Sequence, residues 1–157
     1  GTMSSHFTRL DALQLLLLDR DLEQERTPAG RPVKKGWISS GFGERIDPFT
    51  GEKTRHEGLD FAGAKGSEVL AVASGAVTWA GPWAGFGNLL EITHGNGYLT
   101  RYAHNDKLLV KAGDSVTAGQ EIAKMGQTGR ASTPHVHFEV LYQGRVVNPN
   151  KFVKQGR

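Results

Sequence analysis

The chain contains no cysteine. That absence removes disulfides, thiolate zinc sites and thiol nucleophiles together, and leaves histidine and carboxylate side chains to hold any metal. Long apolar runs are missing as well. The longest aliphatic stretch, Leu15–Leu18, lies between Asp11 and Asp19, far short of the roughly 20 residues a membrane-spanning helix needs. No secretory leader is recognisable, but Gly1-Thr2-Met3 reads as a remnant of cloning, so a targeting segment is expected to have been cut away. Charge of one sign is scarce, with a formal net charge of +3. Such a balance permits contact with an anionic polymer without requiring it. No basic stretch interleaved with aromatics speaks for nucleic acid, and no nucleic-acid partner is expected.

Glycine is what the chain has in plenty, 21 against 6 prolines in 157 residues. The glycines have no three-residue period and are spread between apolar segments, which suits a β-rich fold with many tight turns. The length suffices for one domain with a core of its own.

One helix is expected, over about Ser5 to Glu25, where Leu10, Leu13, Leu17, Leu18 and Leu22 recur at three- and four-residue spacing. Ser4 or Ser5 would cap its start and Thr27-Pro28-Ala29-Gly30 end it. Its leucines either pack on the domain or form the end of a coiled coil that continued upstream, open to a protein partner or a second copy. Arg26, Arg31, Lys34 and Lys35 then read as a solvated hinge, so residues 1–35 form a helix and linker.

From Trp37 the pattern turns to short, Gly-bounded strands. Val69–Ala73 and Ala76–Trp79 read as a hairpin about Ser74-Gly75; Leu89–Thr93 and Tyr98–Ala103 as another about the Asn96-Gly97 turn. Val116, Glu121–Met125, Val136–Tyr142 and Val146-Val147 follow. The expectation is a mainly β fold, a twisted antiparallel sheet with a short N-terminal α-helix.

Histidines carry the chemistry. His56 and Asp60 stand four apart in Arg55-His56-Glu57-Gly58-Leu59-Asp60. Gly58 and the apolar Phe61 argue against a helix, so the pair is expected to flank a bend; alone, the spacing is also that of an ordinary surface pair. His135 and His137 stand two apart, which on a strand puts both rings on one face while Val136, Phe138 and Val140 enter a core. A polar sheet face could do this innocently, but His-x-x-x-Asp followed by His-x-His is harder to dismiss. Imidazole and carboxylate suit zinc, and three protein ligands leave a fourth position open, unless His94 or Glu57 closes it. Spacing does not choose between His94 and His104 as a further catalytic group.

In this order, His56-Glu57-Gly58-Leu59-Asp60, Tyr102-Ala103-His104 and Pro134-His135-Val136-His137-Phe138-Glu139 resemble the lysostaphin/LytM-type zinc endopeptidases that act on peptidoglycan. The phrases Gly41-Phe42-Gly43-Glu44-Arg45, Gly85-Phe86-Gly87-Asn88 and Gly126-Gln127-Thr128-Gly129-Arg130 extend the likeness, which runs from about Trp37 to Phe152. Thr133 stands where a Gly often precedes the Pro-His. The resemblance implies a zinc peptidase domain over residues 36–153, with one Zn2+ per chain held by His56, Asp60 and His137. It makes His104 and His135 the catalytic pair, peptidoglycan the partner, and periplasm or cell surface the location. Such enzymes cut either Gly-Gly bridges or the D-Ala–diaminopimelate cross-link, and a helix ahead of the domain favours the cross-link. Some relatives lack these residues and activate other wall hydrolases; all five are present here, so the non-catalytic wall-binding or activator reading is the alternative. A lipoyl- or biotin-carrier domain, suggested by the rhythm of Gly113–Gly126, is set aside because Lys124 falls inside an expected strand.

Overall fold

The computed structural model describes residues 12–155. Strands β1 (Trp37–Ser40), β2 (Gly43–Ile46), β3 (Lys53–His56), β4 (Leu59–Ala62), β5 (Glu68–Leu70) and β6 (Gly75–Trp83) come first. β7 (Gly87–Gly95), β8 (Tyr98–Asn105), β9 (Lys107–Leu108), β10 (Ser115–Val116), β11 (Glu121–Lys124), β12 (His135–Tyr142) and β13 (Arg145–Val147) follow. All pairings are antiparallel. The main sheet runs β1-β4-β12-β8-β7-β6-β10, with β13 beside the second half of β12; β5-β11-β9 make a smaller sheet and β2-β3 a separate ribbon. The mainly β, antiparallel expectation holds.

Local chemistry explains which hairpins form. Asn96 and Gly97 both have positive φ (52° and 84°), as do Gln143 and Gly144 (51° and 79°). Two such residues in succession make the turn whose twist matches paired strands, and β7–β8 and β12–β13 join there. The hairpin expected about Ser74-Gly75 does not form. β5 pairs with β11, while β6 pairs with β7 and β10. Gly75 lies within a strand, where a Cβ would come within 2.3 Å of Thr93 O; close approach, not a turn, explains this glycine.

Valine, phenylalanine and leucine from both sheets meet in one core. Val136, Phe138 and Val140 of β12 are fully buried there with Phe61, Tyr102, Ile122 and Met125. The opposite face of β12 carries His135, His137 and Glu139, also buried. A strand covered on both sides explains why His-x-His alternates with wholly apolar residues.

Helix α1 spans Ala12–Arg26 and a short α2, unforeseen in the sequence, spans Asn150–Val153. The expected helix start and Leu10 lie outside the described residues. Leu13, Leu16 and Leu17 are exposed, so these leucines do not pack on the domain. The basic residues after the helix are solvated as expected, yet the segment carrying them is no free hinge. Pro28, Pro32 and Val33 are buried. Ala29 N–H donates to Val72 O, Gly30 N–H to Phe152 O and Leu70 N–H to Pro32 O. Val33 also bridges to Val69. Two prolines and a valine give this stretch enough apolar surface to be held against the sheet.

Candidate metal centre

β4 and β12 are neighbours in a register that sets Asp60 directly opposite His137. His56 closes β3, and Glu57-Gly58 turn the chain into β4. Gly58 sits against β12, where a Cβ would lie 2.3 Å from Phe138 O and 3.0 Å from His137 Cε1. The bend expected between His56 and Asp60 is therefore tight because a glycine lets it touch the strand bearing the third residue.

Side-chain ligand atoms of His56, Asp60 and His137 lie within 4.8 Å of one another. His56 Nε2 is 3.1 Å from Asp60 Oδ1 and 3.1 Å from His137 Nδ1, which is itself 2.8 Å from Asp60 Oδ1. The outer atoms are all engaged. His56 Nδ1–H donates to Gly41 O at 2.7 Å, His137 Nε2–H to Glu139 Oε2 at 2.9 Å, and Arg45 to Asp60 Oδ2 at 3.1 Å. Each partner fixes a tautomer or an orientation and leaves the inward atom as a lone-pair donor.

Burial alone would raise the Asp60 carboxyl, but hydrogen bonds from His137 and His56 outweigh it and hold it well below the carboxylate range. Burial pushes His137 down, while its hydrogen bonds to Asp60 and Glu139 keep a proton on it up to about 9. That proton sits among three electron-rich atoms, and a divalent cation does the same work with more charge. The two-nitrogen, one-oxygen donor set suits zinc. Among the described residues no fourth ligand joins the three. His94, open as one from the sequence, is buried elsewhere, its Nδ1–H on Ser74 O and its Nε2 2.7 Å from Thr100 Oγ1. Glu57 is exposed and outside the cluster. The cluster therefore keeps an open side.

His104 and His135 face that side, with ring centroids 4.8 Å apart. His104 Nδ1–H donates to Thr128 O at 2.7 Å and His135 Nδ1–H to Thr133 O at 2.8 Å, so Nε2 is the lone-pair atom on both rings, that of His135 lying 3.8 Å from Asp60 Oδ1. Burial lowers His104 to about 4, opposed by Thr128 O and aided by His135 and His137; the ring is neutral at neutral pH. His104 takes a φ of 66°, a conformation non-glycine residues seldom adopt. A cavity of about 350 Å³ lies over Ser40, Asp60, His104, Arg130, His135 and His137. A second hollow, bounded by Phe86, shares Arg45, His104, Arg130 and His137 with it, and the two make one groove across the cluster.

Glu139, Arg45 and Arg130 acquire positions here that the sequence reading did not assign. Glu139 was legible, since it lies two residues beyond His137 on the same strand face. The buried Glu139 also takes Arg101 at 3.4 Å. The two arginines sat inside motif phrases but had no spacing rule to reveal them.

Comparison with known proteins agrees with this geometry. The model of peptidase family M23 matches residues 54–149. The murein hydrolase activator NlpD of Escherichia coli is 45% identical over 120 residues, 76% of this chain and 31% of that protein. The peptidoglycan DD-endopeptidase ShyA of Vibrio cholerae is 43% identical over 122 residues, 76% of this chain and 28% of that one. Outer membrane antigenic lipoprotein B of Haemophilus influenzae is 41% identical over 127 residues, 80% and 31% respectively. The chain thus spans about a third or less of these relatives. A zinc-containing peptidase from Vibrio cholerae superposes with TM-score 0.70 at 45% identity, over 79% of this chain and 39% of that one. The catalytic domain of lysostaphin from Staphylococcus simulans does so with TM-score 0.70 at 32% identity, over 76% and 93%. With the His-x-x-x-Asp and His-x-His residues drawn to one point inside the matched span, the chain belongs to peptidase family M23.

Proposed function

We propose that the domain over residues 36–153 is a zinc-dependent endopeptidase that hydrolyses peptide cross-links of peptidoglycan, with D-Ala–diaminopimelate favoured over Gly-Gly. The observation that carries this reading is the convergence of His56 Nε2, Asp60 Oδ1 and His137 Nδ1 beside an open groove holding two more histidines. In this reading those three residues hold one zinc ion. When bound there, zinc supplies Lewis-acid chemistry, polarising a carbonyl and bringing the pKa of water from 15.7 to about 7.

The protein's own groups do the rest. His104, neutral and with Nε2 free, accepts a proton from the attacking water. His104 then passes that proton to the departing amine, and His135, once it carries a proton on Nε2 as well as on Nδ1, donates to the developing oxyanion. The sequence left the division of labour open; we give His104 the acceptor's role because burial keeps its ring unprotonated at neutral pH, which leaves a lone pair on Nε2. Arg45 fixes Asp60 and Glu139 fixes His137, so neither ligand turns when a substrate displaces solvent. ShyA, named a peptidoglycan DD-endopeptidase, supports the cross-link as substrate. Lipoprotein B, named for the outer membrane, supports a place in the periplasm or at the cell surface. Leu13, Leu16 and Leu17 of α1 offer an exposed apolar surface to a protein partner or second copy.

The similarity to NlpD favours a second reading, a domain that activates another wall hydrolase. One experiment separates them: zinc content measured with release of soluble muropeptides from purified sacculi. The wild type should carry about one zinc and release muropeptides, and a chelator should stop the release. His137→Ala should lose metal and activity, whereas His104→Ala should keep metal and lose at least about a hundredfold in rate. Zinc-loaded wild type that releases nothing would favour the activator.

A further inference from the structure

The groove is walled by two arginines with different commitments. Arg45 is spent on the metal cluster, donating to Ser40 Oγ at 2.7 Å and Asp60 Oδ2 at 3.1 Å. Arg130 touches none of the three ligand residues. Its Nη2 meets both carboxylate oxygens of Asp47, at 3.1 and 2.9 Å, and its guanidinium lies 4.9 Å from the Phe49 ring centroid. Its side chain is 53% exposed while that of Asp47 is 16% exposed. Arg130 also lines both hollows together with His104 and His137.

Below this exposed head the backbone is fixed. Arg130 N–H donates to Gly85 O at 3.0 Å. The adjoining Gly129 abuts Gly87, where a Cβ would lie 2.2 Å from Gly87 N. Thr128, two residues earlier, holds His104. So the base of the Arg130 side chain is anchored beside the segment that holds His104, while its exposed guanidinium can change partner. Asp47 does not depend on it, because Asp47 Oδ1 also accepts the N–H groups of Phe49 and Thr50. With the arginine head exposed and only one guanidinium nitrogen engaged, the pair contributes little and is exchangeable, and a planar guanidinium over an aromatic ring is well suited to receive a carboxylate.

We propose that Arg130 determines specificity by docking a carboxylate carried next to the scissile bond, with Asp47 occupying that place when no substrate is present. The inference rests on the peptidase reading and deepens it. In a D-Ala–diaminopimelate cross-link, the carbon bearing the scissile nitrogen also bears a free carboxylate. A Gly-Gly bridge has no charge there. Arg130 therefore selects the first chemistry over the second through a group the bond-breaking step does not use.

The test uses two soluble cross-linked muropeptides that differ only in whether that diaminopimelate carboxylate is free or amidated, with zinc-loaded protein. Wild type should show at least about a tenfold higher kcat/KM for the acid, mostly through KM, the size expected of a charge-assisted pair. Arg130→Gln should abolish the preference, and Arg130→Lys should keep part of it. Equal kcat/KM for acid and amide in the wild type, or an unchanged preference in Arg130→Gln, overturns the proposal and leaves the peptidase reading intact. Cleavage of neither by zinc-loaded wild type overturns the peptidase reading instead. Calorimetric binding of the two peptides then decides for Arg130: a preference for the acid that Arg130→Gln removes supports it, and no preference overturns it.

Discussion

A histidine ring can give a metal only the nitrogen it has not spent on a hydrogen-bond partner, and the partners here are chosen accordingly. Gly41 O takes one side of His56 and Glu139 one side of His137. Without an ion, Asp60 and Glu139 hold a proton on His137 up to about 9. At pH 7 that proton is present, so uptake of a divalent ion at His137 must expel it. Metal binding should therefore release about one proton per ion at pH 7, read by calorimetry in two buffers of different ionisation enthalpy. The sign follows: apparent affinity should rise close to tenfold per pH unit towards about 9 and level off above it. An affinity independent of pH between 7 and 8.5 would contradict the assignment of His137. At this scale the sequence was informative wherever a period applied. His135 and His137 were placed on one face by the two-residue repeat of a strand, and the same repeat extended once more reaches Glu139. Arg45 and Arg130 depend on loops folding back over the sheet, and no local repeat encodes that.

Turns and strands were legible to different degrees for a physical reason. Asn96-Gly97 supplies two left-handed residues in a row and so announced its hairpin. Ser74-Gly75 looked alike in sequence, but its glycine serves a close backbone approach to Thr93. The four-residue strands β1 to β4 were too short for alternation to show, although β4 carries Asp60. Burial of the segment from Pro28 to Val33 could not be foreseen either, since its exposed basic residues mask its apolar ones. Gly58 is the element-scale joint of the site. Gly58→Ala would force a methyl against Phe138 O, and overpacking of this kind costs about 1–3 kcal/mol. The variant should unfold at lower denaturant concentration and also bind zinc more weakly, because the clash falls between His56 and His137. A variant with wild-type denaturation midpoint and zinc affinity would show that the bend does not depend on glycine.

At the scale of the whole molecule, the candidate ligands join parts that the sheets leave separate. His56 belongs to the β2–β3 ribbon, whereas Asp60 and His137 belong to the main sheet. An ion shared by the three would clamp the ribbon down. Free zinc a thousandfold above its dissociation constant should then stabilise the fold by about 4 kcal/mol, equivalent to about 8–16 °C in Tm for a chain of this size. Thermal scans with zinc and with chelator check this, and His137→Ala should show no such shift. The separation of the ligands along the chain carries one more consequence. His137 follows His56 by 81 residues and Asp60 by 77, so a chain still leaving the ribosome offers the first two long before the third exists. A chain ended before β12 would hold zinc poorly, and the ion would be held firmly only once β12 has slotted between β4 and β8, so zinc retention reports that the centre of the main sheet has assembled.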